Sequence, residues 1–156
     1  MVALSLARVA PADLLALTKP RITMLVMLTV AAGFALAVPV ARGGWDFSLW
    51  LLFSHTVLGA GLVAAGTSAL NQVAERDVDA LMRRTASRPL PSGRIGAREA
   101  AIFAWGVGLA GILYLALLVN LLTAAVAAAT LISYVLVYTP LKRRTPVATL
   151  IGAIPG

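Results

Sequence analysis

The sequence contains no cysteine and few charged residues, and both shortages restrict what the chain can be. Without cysteine it can form neither a disulfide nor a thiolate metal site. Charged residues make up 12% of the 156 residues, about half the share that is usual in a soluble domain. Only six residues are acidic and one is histidine, so any metal or acid–base site must draw on few side chains.

Apolar residues, in contrast, make up 60% of the chain, and the mean hydropathy is +0.92. They fall in runs of about 18 to 23 residues, the length with which an α-helix crosses the hydrocarbon layer. We therefore predict an all-α fold class, a polytopic transmembrane helical bundle with four complete spans and the start of a fifth. The predicted spans are 22–40, 49–70, 100–118 and 122–138, and the fifth follows the basic loop TPLKRRTP.

The basic residues predict how these spans are oriented. Of the thirteen Lys and Arg residues, all but Arg42 fall on one side of the membrane under this assignment. Cytoplasmic loops carry the excess of Lys and Arg, so we expect that side to be cytoplasmic. Membrane topology then explains the pI of about 11.1. We expect no nucleic-acid partner, because no basic patch is interleaved with aromatic residues.

The N-terminus and the glycines complete the layout. We predict that residues 1–18 form a cytoplasmic N-terminal arm, with an interfacial helix over 11–17. The arm has no signal-cleavage pattern and no transit-peptide composition, which favours the cell inner membrane of a bacterium. The glycines inside the spans are predicted to be helix-packing contacts: Gly59, Gly61, Gly66, Gly106, Gly108 and Gly111.

The stretch NQVAERDVDALMRRTASRPLP, from Asn71 to Pro91, concentrates the chemistry of the chain. It follows the second predicted span and holds half of the acidic residues: Glu75, Asp77 and Asp79. If the helix continues, Asn71, Glu75 and Asp79 share one face and Asp77 points elsewhere. Carboxylates at the end of a membrane span are costly and indicate a function.

The residue pattern alone leaves two interpretations of this stretch open. In the first, oxygen ligands on the helix hold Mg²⁺ together with a substrate diphosphate that nearby arginines neutralise. In the second, these are ordinary juxtamembrane charges, and Asp79 pairs along the helix with Arg76 or Arg83. His55 is similarly open between a hydrogen-bonded packing residue and a porphyrin ligand. An ion-conducting protein would need ionisable residues near mid-membrane, where only His55 lies.

The pattern N-Q-x-x-E-x-D-x-D-x-x-M-x-R-T-x-x-R-P-L-P resembles the first acidic motif of the UbiA-type intramembrane prenyltransferases. Within that family it resembles the heme O synthase (protoheme IX farnesyltransferase) branch. LTKPRITMLVMLT at Leu17–Thr29 and YTPLKRRTPVATLIGAIPG at Tyr138–Gly156 resemble the same branch before and after the first four spans. Glu75 favours this branch, because quinone-pathway relatives typically have aspartate at that position.

The resemblance implies Mg²⁺-dependent transfer of a farnesyl group from farnesyl diphosphate to a vinyl group of heme B, with addition of water, giving heme O. It implies that Asn71, Glu75 and Asp79 are catalytic and that, with Asp77, they hold the metal. The implied partners are the lipid bilayer and the two substrates, with a heme A synthase or terminal oxidase assembly proteins as further candidates. The implied diphosphate-binding residues are Arg84, Arg88, Lys142, Arg143, Lys19 and Arg21.

The resemblance also implies a longer domain, because the nine-helix UbiA-type fold carries a second acidic motif in its second half. We therefore expect residues 19–156 to be the N-terminal part of a prenyltransferase domain, incomplete at the C-terminus. Two alternatives stay open. One is another UbiA-type aromatic prenyltransferase of a quinone pathway, and the other is a truncated, non-catalytic membrane fragment.

Overall fold

The computed structural model describes residues 9–42 and 45–142, and all regular structure in these two ranges is helical. The predicted interfacial helix is present as a short helix that precedes the membrane spans. The last long helix, Leu121–Ile132, continues through a π-helical segment into a final short turn. The helices are α1 (Pro11–Leu17), α2 (Pro20–Arg42), α3 (Phe47–Leu81), α4 (Ala97–Leu118), α5 (Leu121–Ile132), the π-helical segment Ser133–Tyr138, and α6 (Thr139–Leu141).

Four of these segments are long and apolar enough to cross a membrane, which confirms the predicted transmembrane bundle. The protein is therefore a multi-pass membrane protein. The predicted start of a fifth span lies outside the described residues. The four segments are Pro20–Val38, Phe47–Leu81, Ala97–Leu118 and Leu121–Leu141.

Local sequence sets where the helices begin. The carboxylate of Asp46 accepts a hydrogen bond from the backbone N–H of Leu49 at 2.8 Å, ahead of α3. The amide oxygen of Asn120 accepts one from the N–H of Thr123 at 2.7 Å, ahead of α5. These side chains satisfy N–H groups that have no partner within the first helical turn. Short polar residues between apolar runs therefore separate one span from the next.

Two glycines bring α3 and α4 into backbone contact. A Cβ atom at Gly66 would lie 2.5 Å from the backbone nitrogen of Gly108 and 2.6 Å from its Cα. Small residues allow this approach, and close van der Waals packing is a main source of helix association within lipid. Within the described residues the packing prediction is wrong for Gly106, whose Cβ direction meets no atom within 4 Å there. The prediction is confirmed for Gly59, Gly61, Gly66, Gly108 and Gly111.

Helix α3 is longer than a membrane span requires. Its 35 residues correspond to about 50 Å at 1.5 Å per residue, against a hydrocarbon layer of about 30 Å. The part of the Asn71–Pro91 stretch up to Leu81 is therefore a helical continuation of the second span. The loop after it folds back on this end of the helix, since the Thr85 hydroxyl donates to the carbonyl oxygen of Asp79 at 2.7 Å. Leu90 and Ile95 of the loop are buried, and Arg94 reaches Asp13 of α1 at 2.9 Å.

Candidate functional site

Asn71 lies near the end of α3, is 3% exposed, and joins two distant parts of the chain. Its amide nitrogen donates to Glu75 Oε2 at 2.8 Å, one turn further along the same helix. Its amide oxygen accepts from the hydroxyl of Thr139 at 3.1 Å, 68 residues later. The side chain of Asn71 is therefore held at both ends, and it fixes the end of α3 against α6.

Glu75 forms an ion pair with Lys142, which follows α6. The ammonium group of Lys142 also lies over the ring of Tyr138, 5.6 Å from the ring centroid. The Tyr138 ring in turn lies 5.0 Å from that of Tyr134, and both rings belong to the π-helical segment. Such segments are often found at functional sites. Here the segment brings an aromatic pair and a lysine to the carboxylate of Glu75.

Asp79 is buried at 3% exposure, and its Oδ2 accepts a hydrogen bond from Arg88 Nη1 at 2.7 Å. The side chain of Arg88 is partly buried in the loop that follows α3. The helical pairs that the juxtamembrane interpretation requires, with Arg76 or Arg83, do not form in the described ranges. Arg76 pairs instead with Asp77, at 3.2 Å. The partner of Asp79 thus comes from tertiary folding.

Lys19 joins the same group of charges from the turn between α1 and α2. Its backbone has φ of +48°, and its side chain lies among Asn71 and other residues that line a cavity. Burial lowers the pKa of the Lys19 ammonium, and the positive charges of Arg88 and Lys142 lower it further, whereas Glu75 and Asp79 oppose the shift. Three cations and two carboxylates are therefore brought together, which we call the charged cluster: Lys19, Arg88, Lys142, Glu75 and Asp79.

The remaining residues predicted for the site are not part of this cluster. The side chain of Asp77 is 76% exposed, and among the described residues it pairs only with the exposed Arg76. Arg21 and Arg84 are exposed, and neither forms an ion pair within residues 9–42 and 45–142. Arg143 lies outside the described part of the chain. The structure thus assembles Asn71, Glu75, Asp79, Arg88, Lys19 and Lys142 from the predicted set.

A cavity of about 690 Å³ opens beside the charged cluster, between α2, α3 and α5. Lys19, Asn71 and Tyr134 line one end, while Leu122 and Thr123 come from the opposite end of α5. The walls are largely apolar, and even their threonines contribute mainly methyl groups. Thr56, Thr67 and Thr130 each direct the hydroxyl to the carbonyl oxygen four residues earlier in the same helix, at 2.7 to 2.9 Å. The cavity therefore suits a long apolar group whose anionic end lies at the cluster.

His55 lies away from this cavity, on the side of α3 that packs against α4. Its Nδ1 is hydrogen-bonded to the hydroxyl of Tyr114 at 2.7 Å. The two rings are 5.6 Å apart. This is the packing role that was one of the two interpretations of His55.

Sequence reasoning missed two residues that organise the site. Thr139 holds the amide of Asn71, and Gln72 holds the end of α1 through its own amide. Gln72 directly follows Asn71 in the acidic motif, and that position was its only signal. Thr139 lies in the stretch from Tyr138 to Gly156 that resembles the same branch, but nothing in the sequence indicated its contact, because its partner lies 68 residues away.

Comparisons with known proteins agree on one family. The sequence model of the UbiA prenyltransferase family matches residues 17–156. A protein of Solibacter usitatus named protoheme IX farnesyltransferase is 47% identical over 153 residues, covering 92% of this chain and 50% of the relative. A protein of the same name from Koribacter versatilis is 44% identical over 140 residues, covering 90% of this chain and 44% of the relative. Another from Anaeromyxobacter dehalogenans is 44% identical over 165 residues, covering 99% of this chain and 52% of the relative. The chain spans about half the length of these curated relatives. No solved structure matches it significantly.

Proposed function

The chain belongs to the UbiA prenyltransferase family, and on that basis we propose that it contributes the diphosphate-binding end of a protoheme IX farnesyltransferase. The reaction transfers the farnesyl group of farnesyl diphosphate to a vinyl group of heme B and adds water, giving heme O. The name shared by the curated relatives supports this acceptor and this prenyl group over those of a quinone pathway.

The charged cluster at the end of the apolar cavity is the observation that carries the proposal. A prenyl diphosphate has an anionic head and a long apolar tail, and the cluster and the cavity match these two parts in order. Lys19, Arg88 and Lys142 outnumber the two carboxylates, so the cluster favours an anion. Arg88 carries a guanidinium group, which is the side-chain group best suited to bidentate contact with phosphate oxygens. We assign the diphosphate to these three cations.

We propose Mg²⁺ as the divalent metal that UbiA prenyltransferases use with diphosphate substrates. Asn71, Glu75 and Asp79 offer the hard oxygen ligands that Mg²⁺ prefers. Within the described residues, no group of three His, Asp or Glu side chains is close enough to hold a metal alone. The two carboxylates are instead paired with Lys142 and Arg88. A diphosphate that takes over these two cations leaves the carboxylates free for the metal, so we expect metal and substrate to bind together.

Asp77 stays a predicted ligand without support from its position, because its carboxylate lies on the exposed side of α3. Arg21, Arg84 and Arg143 likewise remain predicted diphosphate contacts.

In the proposed reaction, Asn71, Glu75 and Asp79 would hold the metal, which would supply positive charge to stabilise the diphosphate as the allylic carbon–oxygen bond breaks. Lys19, Arg88 and Lys142 donate hydrogen bonds to the departing oxygens and are already oriented before reaction. The methyl-lined walls of the cavity keep water from the developing allylic cation until the vinyl group attacks it.

We place the protein in the inner membrane of a bacterium, with the charged cluster facing the cytoplasm. This follows from the positive-inside distribution of Lys and Arg. Heme O would then pass to a heme A synthase or to terminal oxidase assembly proteins, which are the partners that we propose for the complete domain.

The test is heme analysis of membranes from bacterial cells that lack their own heme O synthase. One strain expresses this chain alone, and another expresses this chain joined to the C-terminal half of the Solibacter usitatus relative. We expect the joined protein to make heme O, with loss of activity after EDTA treatment and recovery with Mg²⁺. If neither protein makes heme O although both are inserted, the assignment of the acceptor is wrong and quinone precursors become the substrates to test.

A further inference from the structure

Gln72 is 2% exposed and takes no part in the charged cluster, although it directly follows Asn71. Its amide nitrogen donates to the carbonyl oxygen of Leu17 at 2.8 Å and to that of Ala16 at 3.3 Å. These are the last two residues of α1, where helix carbonyls lack partners within the helix. Gln72 therefore holds the end of α1 from a position 55 residues later in the chain.

Two residues beyond Leu17, Lys19 adopts a backbone conformation that residues other than glycine seldom take. Its φ of +48° is the only positive value of a non-glycine residue in the described ranges. Pro20 follows it and disfavours the right-handed helical conformation at Lys19. A left-handed residue persists only where its surroundings hold it there. Gln72 holds the chain before this residue, and the first turn of α2 holds the chain after it.

The α2 side of this turn is well defined. The carbonyl oxygen of Lys19 accepts hydrogen bonds from the backbone N–H groups of Ile22 and Thr23, at 3.0 and 3.1 Å. The hydroxyl of Thr23 also donates to the carbonyl oxygen of Thr18 at 2.7 Å. Without Gln72, the carbonyl oxygen of Leu17 would lose its contact with α3 on the α1 side of this turn. The direction of the Lys19 side chain therefore depends on the contacts of the α1 side and of the α2 side of this turn.

We propose that Gln72 is a positioning residue of the anion site. By holding the carbonyl oxygen of Leu17, it fixes the left-handed turn that brings the Lys19 ammonium to the diphosphate, and it does not touch the substrate itself. The inference rests on the proposed function only in taking the anion to be a prenyl diphosphate.

A purely structural role for Gln72 makes a different prediction. Helix α1 has a second tether, the ion pair of Asp13 with Arg94 at 2.9 Å, which lies on the exposed side of the loop. If Gln72 only stabilised α1, loss of either tether would have a similar effect, and neither effect would depend on Lys19. Gln72→Met is a suitable change, because the buried Oε1 of Gln72 accepts no hydrogen bond within the described residues. The variant therefore removes the two donated bonds and leaves no other side chain without a partner.

The experiment is a double-mutant cycle on this chain joined to the C-terminal half of the Solibacter usitatus relative, in lipid nanodiscs. The measured quantity is the affinity for farnesyl thiodiphosphate, which is not turned over, in the presence of Mg²⁺. We expect Gln72→Met and Lys19→Met each to weaken binding about tenfold, as loss of a charged hydrogen bond does. The double variant should bind no more weakly than Lys19→Met, because the two residues act as one unit. Arg94→Ala is the matched control and should leave the affinity unchanged.

Two results would overturn the proposal: effects that multiply in the double variant, or an unchanged affinity in Gln72→Met. If Gln72→Met fails to insert, Gln72→Asn takes its place in the cycle, since it keeps the amide but is one methylene shorter. The readout uses no heme, so it is independent of the acceptor. If Gln72→Met and Lys19→Met are coupled in their effects on affinity but the joined protein makes no heme O, only the proposed reaction is contradicted. If heme O is made but the two substitutions act independently, only the role of Gln72 is contradicted.

Discussion

Asp77 and Asp79 are chemically identical and two positions apart, yet α3 places them in opposite surroundings. Asp79 is buried and hydrogen-bonded to Arg88, whereas the side chain of Asp77 is 76% exposed. The spacing of Asn71, Glu75 and Asp79 predicted this difference, and the unbroken helix to Leu81 confirms it. Helical periodicity was sufficient to separate the two residues, because it depends only on positions within one element.

The two aspartates provide a matched pair of substitutions at the proposed metal site. We expect Asp79→Asn to lower the heme O synthesis rate of the joined protein roughly 100-fold or more, as loss of a preorganised charge does. Asp77→Asn removes the same charge from an exposed position outside the charged cluster and should lower the rate much less. Heme analysis and an insertion assay measure both effects. A fully active Asp79→Asn variant would remove Asp79 from the site, and an inactive Asp77→Asn variant would add Asp77 to it.

Arg88 and Arg84 form a second matched pair. Arg88 contacts the carboxylate of Asp79 at 2.7 Å, whereas Arg84 is exposed. We therefore expect Arg88→Ala to raise the KM for farnesyl diphosphate about tenfold or more, through loss of a charge-assisted contact. Arg84→Ala should have a smaller effect. Equal KM values in the wild type and Arg88→Ala would assign Arg88 to topology alone.

Lys19 predicts how diphosphate binding depends on pH. Burial lowers the pKa of Lys19 in the free protein, with Arg88 and Lys142 acting in the same direction and Glu75 and Asp79 against it. An anion needs the protonated form, so pyrophosphate affinity should fall as pH rises through this pKa, below the ordinary lysine value of 10.5. The free energy of unfolding changes in the opposite direction. Protonation of the buried Lys19 lowers it, so it rises as pH rises from the lowered pKa of Lys19 toward 10.5. Titrations of wild type against Lys19→Met test this, and equally steep pH profiles would contradict it.

At the scale of the helices, hydropathy predicted the existence and type of every span within the described residues. The ends of the helices differ from the predicted ends of the spans by a few residues, except that α3 continues to Leu81. The π-helical segment Ser133–Tyr138 was not predicted, because its residues are as apolar as the rest of the span. Thr139, the residue directly after it, makes a tertiary contact, the hydrogen bond with Asn71. Composition within one helix holds no trace of such a contact.

The glycines of α3 and α4 provide a test at the level of helix packing, because what each one contacts depends on the neighbouring helix. A methyl group at Gly66 would meet the backbone of Gly108, which cannot move aside without separating the helices. We expect Gly66→Ala to lower the free energy of unfolding by about 1–3 kcal/mol. At Gly106 the added methyl group meets no described residue, so Gly106→Ala should raise the free energy of unfolding by up to about 1 kcal/mol, through helix propensity. Unfolding in mixed micelles measures both, and a stable Gly66→Ala variant would show that the helices cross less closely.

At the scale of the whole molecule, the absence of cysteine makes the predicted orientation easy to test. Ser48 and Ser92 are both exposed, and they lie at opposite ends of the bundle. We expect a membrane-impermeant thiol reagent to label Ser92→Cys from the cytoplasmic side only and Ser48→Cys from the other side only. The positive-inside distribution is the physical reason. Labelling of Ser92→Cys from outside intact cells would reverse the proposed orientation.

The spans, the polar face of α3 and the grouping of basic residues from which the orientation is predicted all followed from local patterns. Hydropathy, capping and helical period act between residues that are near in the chain, so a single sequence contains them. The charged cluster did not follow in this way. Glu75 meets Lys142 from the end of the fourth span, and the contacts around the cluster join Asn71 to Thr139 and Gln72 to Leu17 across 68 and 55 residues. Which of the basic residues meet the carboxylates, and why Lys19 takes a left-handed turn, depend on how the helices pack against one another.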